Sequence, residues 1–556
     1  MSDIEKRSTG DEIAIAPTSS THDIEAIQPS AAAQQFGGPK GKNPISHTGP
    51  PPFKWSSLWK PAVVNPLNGK SYTLPILNLR DQYAINFHLA WLGFFVAFLS
   101  WFAFPPLIPE AIKNDLKLTT EQVGNSNIIA LLATLVCRFL FGPLVDRFGP
   151  RYTMAAILVI GAIPSGLAGT ISNAGGLYAI RFFIGVLGAT FVPCLAWTTC
   201  FFDKSVVGTA NSFVGGWGNL GGGVTFVVQV ALFERLVKGG LSQHSAWRAA
   251  FAIVPVPILL IVAAATLIFG TDHPAGKWSA RHTLPATAAA ARQGHFASLD
   301  ASERAVIERK MREKAAASGT VQAADDHDEE DRLAEIPLDV AVNEPLTWKV
   351  FLEIVSKPYT WLPALMYMTT FGFELAVDAN IANTLYADHK SATFTQLQAG
   401  YYGSTFGFLN LVTRPFGGFL ADRLYRRFGL AGKKYSTVVL GFLQGMMSLA
   451  LGLYSLTKHN AGLKPDLNVT MGLVALMAIF CEVANGTNFS LTPHVAPRNA
   501  GFVTGLTGAM GNAGGIWFAL LFRYFTNKGY ALAWVSCGAL AAGVNIFCAF
   551  LPTPKQ

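Results

Sequence analysis

Two arginines sit where arginine is costly. Arg138 and Arg414 each interrupt a long apolar block, and each is followed by a glycine (Gly142, Gly418), an aspartate (Asp146, Asp422) and a second arginine (Arg147, Arg423) at identical spacing. The two segments superpose at one offset, since 414 − 138 and 422 − 146 are both 276. A guanidinium is planar, permanently charged and presents a fork of N–H donors. One fork takes two oxygens of a planar anion side by side, as it does with carboxylate. Two forks from opposite sides can sandwich a small planar anion. Eight helical residues rise about 12 Å, so each arginine lies near the middle of its block, where insertion scales put the cost of a charge at about 2.5–3.5 kcal/mol. The same cost incurred at two matching places points to a binding role.

The elements that must position these side chains are long and apolar. The 556 residues are 51% hydrophobic and 14% charged, against about a quarter charged in an ordinary soluble chain. The apolar residues come in blocks of about 20, enough for a helix to cross a bilayer, and the blocks are too long and uniform for barrel strands. They predict spans at roughly 84–109, 122–145, 152–172, 175–201, 207–235 and 247–270, then at roughly 358–387, 395–423, 435–457, 468–495, 500–525 and 529–551. The domain reading is a disordered polar tail (1–80), a six-helix half (81–270), a polar central loop (271–347), a second six-helix half (348–552) and a short tail (553–556). Within the loop, Asp300 to Ala316 has the pattern of an exposed helix, and an acidic cluster runs from Asp325 to Asp331. The even number of spans places both termini on one side, and the basic tail and loop place that side in the cytoplasm.

A second repeat follows the first. Gly218-Asn219-Leu220-Gly221-Gly222 recurs as Gly511-Asn512-Ala513-Gly514-Gly515, and 512 − 219 is 293. Two matches in the same order, in corresponding spans, indicate a duplicated fold with a site at the interface of its halves. The small residues also let helix backbones approach closely, which would let spans 5 and 11 slide against spans 2 and 8. The net charge of +8 resides in tails and loops with no aromatic-interleaved basic stripe, so nucleic acid is not an expected partner; the lipid bilayer is. The six cysteines have no metal-ligand spacing. No nucleotide loop, metal cluster or nucleophile–base set is present, so the reading is not an enzyme, with no cofactor and no metal.

At these residues the chain resembles the major facilitator superfamily. Gly142-x-x-x-Asp146-Arg147-x-Gly149-x-Arg151 is similar to that superfamily's loop motif between spans 2 and 3. Gly216-Trp217-Gly218-Asn219-Leu220-Gly221-Gly222-Gly223 and Gly508-Ala509-Met510-Gly511-Asn512-Ala513-Gly514-Gly515 resemble the signatures of its nitrate/nitrite porter family. The long central loop and Asp272-His273-Pro274-Ala275-Gly276-Lys277-Trp278 look most like the fungal high-affinity members.

The resemblance implies an all-α membrane protein of twelve helices in two halves related by a pseudo-two-fold axis. It implies import of nitrate, and of nitrite, across the plasma membrane by alternating access, as a proton symporter acting as a monomer. Nitrate/nitrite exchange and nitrate sensing through the central loop are the alternatives. Arg138 and Arg414 match the family's substrate arginines. Tyr367 is expected to donate its hydroxyl to nitrate, Phe371 and Phe191 to wall the ion, and Asn219 and Asn512 to bond nitrate or a substrate arginine. Gly216, Gly218, Gly221, Gly222, Gly511, Gly514 and Gly515 are expected at close helix contacts. Asp146, Arg147, Arg151, Asp422 and Arg423 are expected to form a gate by switching charge pairs. Glu374, Asp378 and Glu482 are intramembrane acids to which the sequence assigns no coupling role.

Overall fold

The computed structural model describes residues 43–279 and 347–554, except for loop positions 45, 47–49, 66–68, 204, 275, 392, 395, 497–498, 527 and 529. Six long helices form the first half: α1 (Gln82–Trp101), α2 (Thr120–Phe148), α3 (Pro150–Leu167), α4 (Ala174–Phe201), α5 (Val207–Lys238) and α6 (Gln243–Phe269). Local chemistry sets their starts. Asp81 accepts from the Tyr83 N–H ahead of α1, and Thr119 with Gln122 forms a reciprocal capping box ahead of α2.

In the second half α7 is Pro358–His389, α10 Leu467–Leu491, α11 Ala500–Tyr524 and α12 Ala531–Phe550. Between α7 and α10 the helical stretch Gln396–Asn460 runs for 65 residues. At 1.5 Å per residue that is about 97 Å, three times the apolar core of a bilayer. It folds back at Gly429, whose φ of +59° is left-handed, so it is two helices, α8 (396–428) and α9 (430–460). The same device divides the first half, where Gly149 has φ +87° between α2 and α3. Among the described residues the count is therefore twelve long helices in two sets of six.

The halves meet through α2 against α11 and α5 against α8. The signature glycines divide: Gly216 lies against the Asn410 carbonyl and Arg414 of α8, at the expected contact between halves, and others face their own half. Gly218 and Gly221 lie against Phe94 and the Phe95 carbonyl of α1, and Gly514 against the Met368 carbonyl of α7. These three pack helices within a half. Gly222 and Gly515 contact Phe102 and Leu375 at looser distances.

The expected tail ends earlier than residue 80. Ala62 and Val64 are fully buried, Ser71 exchanges backbone hydrogen bonds with Phe201 and Asp203 at 2.8 and 2.9 Å, and the Tyr83 hydroxyl donates to the Gly69 carbonyl. Apolar residues spaced singly through a polar stretch gave no periodic signal, yet they strap the α4–α5 turn. The segment after α6 also folds back. Trp278 donates to the Asp146 carbonyl at 3.0 Å, and Arg151 pairs with Asp272 at 3.8 Å. The expected helix Asp300–Ala316 and the acidic cluster lie outside the described residues.

Candidate functional site

Both arginines are fully buried at the interface of the halves. Arg138 on α2 donates through Nε to the Gly188 carbonyl (2.7 Å) and through Nη1 to the Gly508 carbonyl of α11 (3.1 Å). Gly188 can accept because residues 185–190 of α4 wind as a 3-10 helix. Its hydrogen-bond geometry is poorer than that of the α-helix, and here the Gly185 and Gly188 carbonyls are taken by Thr134 and Arg138.

Arg414 on α8 is surrounded differently. Its Nη2 pairs with Glu374 of α7, its Nε with Glu482 of α10, and its Nη1 reaches the Gly215 carbonyl of α5 at 3.5 Å. Gly215 and Gly508 are themselves 293 residues apart, so the two carbonyl contacts are copies of one another. The carboxylates have no counterpart on Arg138, whose described polar neighbours, the Gly188 and Gly508 carbonyls and the Tyr367 hydroxyl, are neutral. The arginines are thus matched in position and unmatched in charge environment.

Four aromatic rings lie with them. The Arg138 guanidinium stands 4.7 Å from the Phe191 ring centre and 4.9 Å from that of Phe371. Arg414 stands 5.7 Å from both Phe371 and Phe489. Tyr367 and Phe371, one turn apart on α7, stack at 4.7 Å with planes 5° apart. Phe371 is therefore the shared neighbour of both cations, each held against the negative face of an aromatic ring. That stack needs Gly511: a Cβ there would lie 2.7 Å from Tyr367 Cδ1 and 2.9 Å from Phe371 Cδ1. Gly216 does the same for Arg414, since its Cβ would come within 2.9 Å of the Arg414 Cβ.

Among the described residues, Arg138 Nη2 and the Tyr367 hydroxyl are buried beside one another and meet no partner at full hydrogen-bonding geometry. Two buried donors left unsatisfied cost free energy, and both belong to the aromatic–arginine cluster. This chemistry fits a small anion with several acceptor oxygens. The asparagines stand one step back. Asn512 donates to the Gly508 carbonyl at 3.0 Å, the same oxygen that Arg138 uses, and Asn219 donates to Glu374. Neither bonds an arginine, contrary to one of the expected roles. Sequence reasoning missed Asn410, which donates to Glu374 at 3.0 Å, and Phe489. Asn485, noted only as a weak patch, also donates to Glu374 at 3.0 Å.

The expected gate residues separate into two kinds. Asp146 accepts from the Gly501 and Phe502 N–H groups, both at 3.2 Å, at the start of α11. Asp422 accepts from the Thr209 N–H and hydroxyl, both at 2.7 Å, at the start of α5, and pairs with Lys433 at 3.2 Å. Arg151 holds Asp272 instead of a gate partner, and Arg147 and Arg423 are exposed. In this conformation the connection across the halves runs from carboxylate to helix N-terminus, where N–H groups and the helix dipole supply positive charge. The receiving glycines, Gly208 and Gly501, also stand 293 residues apart, a signal the sequence carried unread.

Residues 90–519 match the Major Facilitator Superfamily profile. "Nitrate transporter 2.1" of Chlamydomonas reinhardtii is 29% identical over 87% of this chain and 78% of its own. "High affinity nitrate transporter 2.5" of Arabidopsis thaliana is 30% identical over 82% and 76%. "Nitrate/nitrite transporter NrtP" of Nostoc punctiforme is 26% identical over 86% and 94%. Among solved structures, the superfamily transporter FucP in the outward conformation superposes with a TM-score of 0.51 at 16% identity, over 84% of this chain and 99% of that one. These relatives come from algae, plants and cyanobacteria.

Proposed function

For a chain that belongs to the nitrate/nitrite porter family of the major facilitator superfamily, we propose that it imports nitrate, and nitrite, across the plasma membrane by alternating access with proton symport. The observation that carries the substrate reading is the pair of unsatisfied donors, Arg138 Nη2 and the Tyr367 hydroxyl, inside the aromatic cluster that touches both arginines. Nitrate is flat, monovalent and rich in acceptors. It can accept from both donors while its faces lie against Phe191 and Phe371. A bulkier anion would have to displace rings that pack at 4.7–6.4 Å centre to centre. The sequence of the relatives named for nitrate and nitrite supports the same substrate.

The halves close around the ion because it accepts from Arg138 of one half and from Tyr367 of the other. The Asp146–α11 and Asp422–α5 contacts hold shut the end of the bundle that carries both termini, and their release opens that end. We place this end, and so both termini, in the cytoplasm, with the chain working as a monomer. Proton symport is supported by the buried acids beside Arg414. Nitrate uptake into a transport-deficient cell tests the reading: Arg138→Lys and Arg414→Lys keep the charge but lose the fork, and each should raise the apparent KM at least tenfold. Unchanged affinity in both variants would sink it. Uptake that needs internal nitrite and ignores the pH gradient would favour exchange.

A further inference from the structure

The two carboxylates on Arg414 are held in opposite ways. Glu374 is saturated with donors: Oε1 accepts from Asn219 and from Asn410, and Oε2 accepts from Arg414 and from Asn485. Four donors on one carboxylate favour its charged form. Glu482 shares its Oε2 with Arg414 and, at 3.5 Å, with Asn485; its carboxyl lies against that of Glu374, and its Oε1 is buried with no partner at full hydrogen-bonding geometry. An ionised oxygen in that position is unfavourable, and the oxygen has room in its bonding pattern for a proton.

Charge counting gives the consequence. Arg138, Arg414, Glu374 and Glu482 are all fully buried, and together they are neutral when both acids are ionised. Adding nitrate would leave an uncompensated negative charge in the low-dielectric middle of the bundle. Adding nitrate and one proton leaves none. With the charge of the other groups facing this pair held fixed, the difference is the same. Asp378, half-buried one turn further along α7, acts electrostatically on Glu374. Tyr367 and Cys481 also face the acids, and Cys481 donates to the Thr370 carbonyl at 3.3 Å.

We propose that Glu482 is the proton carrier, taking up one proton per nitrate bound, and that Glu374 is the permanent counter-ion that positions Arg414. An O–H bond forms on Glu482 with a proton from solvent, its charge-assisted contact with Arg414 weakens, and the Nε edge of Arg414 turns to the anion. Reversal of these steps on the cytoplasmic side releases both. This assignment rests on the nitrate-symport reading and adds to it the residue that carries a proton.

The test uses the full-length protein, purified and in liposomes. Nitrate added to wild type in weak buffer should withdraw about one proton per bound ion, and an inward proton gradient should drive accumulation. Glu482→Gln should bind nitrate with an affinity that varies less than twofold from about pH 5.5 to about pH 8, withdraw no proton and accumulate no nitrate against a gradient, yet retain nitrate/nitrite counterflow. Glu482→Asp, which restores a titrating carboxyl, should restore proton uptake with a shifted pH midpoint. Glu374→Gln should weaken nitrate binding at every pH, the mark of a positioning residue. Proton uptake or gradient-driven accumulation surviving in Glu482→Gln overturns the assignment. If that variant does not fold, Glu482→Asp decides, and a pH profile identical to wild type overturns it. Wild type that binds no nitrate defeats the proposed function itself, and wild type that binds nitrate with no proton uptake defeats symport alone.

Discussion

Asp146 and Asp422, 276 residues apart, do the same thing from opposite halves: each reaches across the interface and accepts from the first N–H groups of a helix belonging to the other half. The receiving helices begin with glycines at the contact. A Cβ on Gly501 or Gly208 would fall within 2.4 Å of the carboxylate oxygen, so glycine is what permits the approach. The duplicated fold has therefore duplicated its latch.

Each carboxylate-to-N-terminus contact of this kind is worth about 0.5–2 kcal/mol. Asp146→Ala and Asp422→Ala should each shift the equilibrium toward opening at the terminal end by about 2–30-fold. A cysteine introduced at buried Ser490, beside Asp422 and Gly208, reports it. Labelling by an impermeant maleimide from the terminal side should rise in either variant and most in the double. Unchanged labelling would remove these residues from the gate.

Tyr367→Phe deletes one hydroxyl and keeps the stacked ring. If that hydroxyl donates to the anion, apparent nitrate affinity should fall about 2–13-fold, from a loss of about 0.5–1.5 kcal/mol. The anion-free protein should melt close to wild type, because the hydroxyl's contact with Arg138 falls short of full hydrogen-bonding geometry. A KM equal to wild type counts against the contact.

Gly511→Ala and Gly124→Ala make a pair. The first places a methyl group 2.7 Å from Tyr367 and should cost about 1–3 kcal/mol as overpacking, with most nitrate uptake lost. The second adds a methyl to α2 with nothing within 4 Å and should be neutral or stabilising by up to about 1 kcal/mol. Equal behaviour of the two in thermal unfolding and uptake would show that the Gly511 contact is not tight.

Asp272, just past α6, has its carboxyl raised to about 6 by burial, with Arg151 opposing the rise. A group whose folded value lies above its unfolded one binds more protons in the folded state. Stability contributed by Asp272 is thus present below the ordinary carboxylate range near pH 4 and lost as pH rises from about 4 to about 6. Asp272→Asn should flatten that part of the melting-temperature profile, by an effect of up to about 3 kcal/mol. A profile unchanged across that window would contradict it.

Block length and charge scarcity made the membrane class and the two sets of six legible, because a bilayer admits few backbone solutions. The offsets of 276 and 293 made the pairing of Arg138 with Arg414, and of Asn219 with Asn512, legible, because a duplicated fold repeats its spacing. The resemblance carried by the glycine signatures added nitrate. Tertiary structure decided what those residues touch. Only in three dimensions do Glu374 on α7 and Glu482 on α10 converge on Arg414 while Arg138 keeps neutral carbonyls. Sequence periodicity records which face of a helix is apolar, not which distant helix supplies a counter-charge. The same limit hid the Thr209 and Lys433 contacts of Asp422 and the burial of residues 62–72. The two arginines are a sequence fact, and the asymmetry between them is a packing fact.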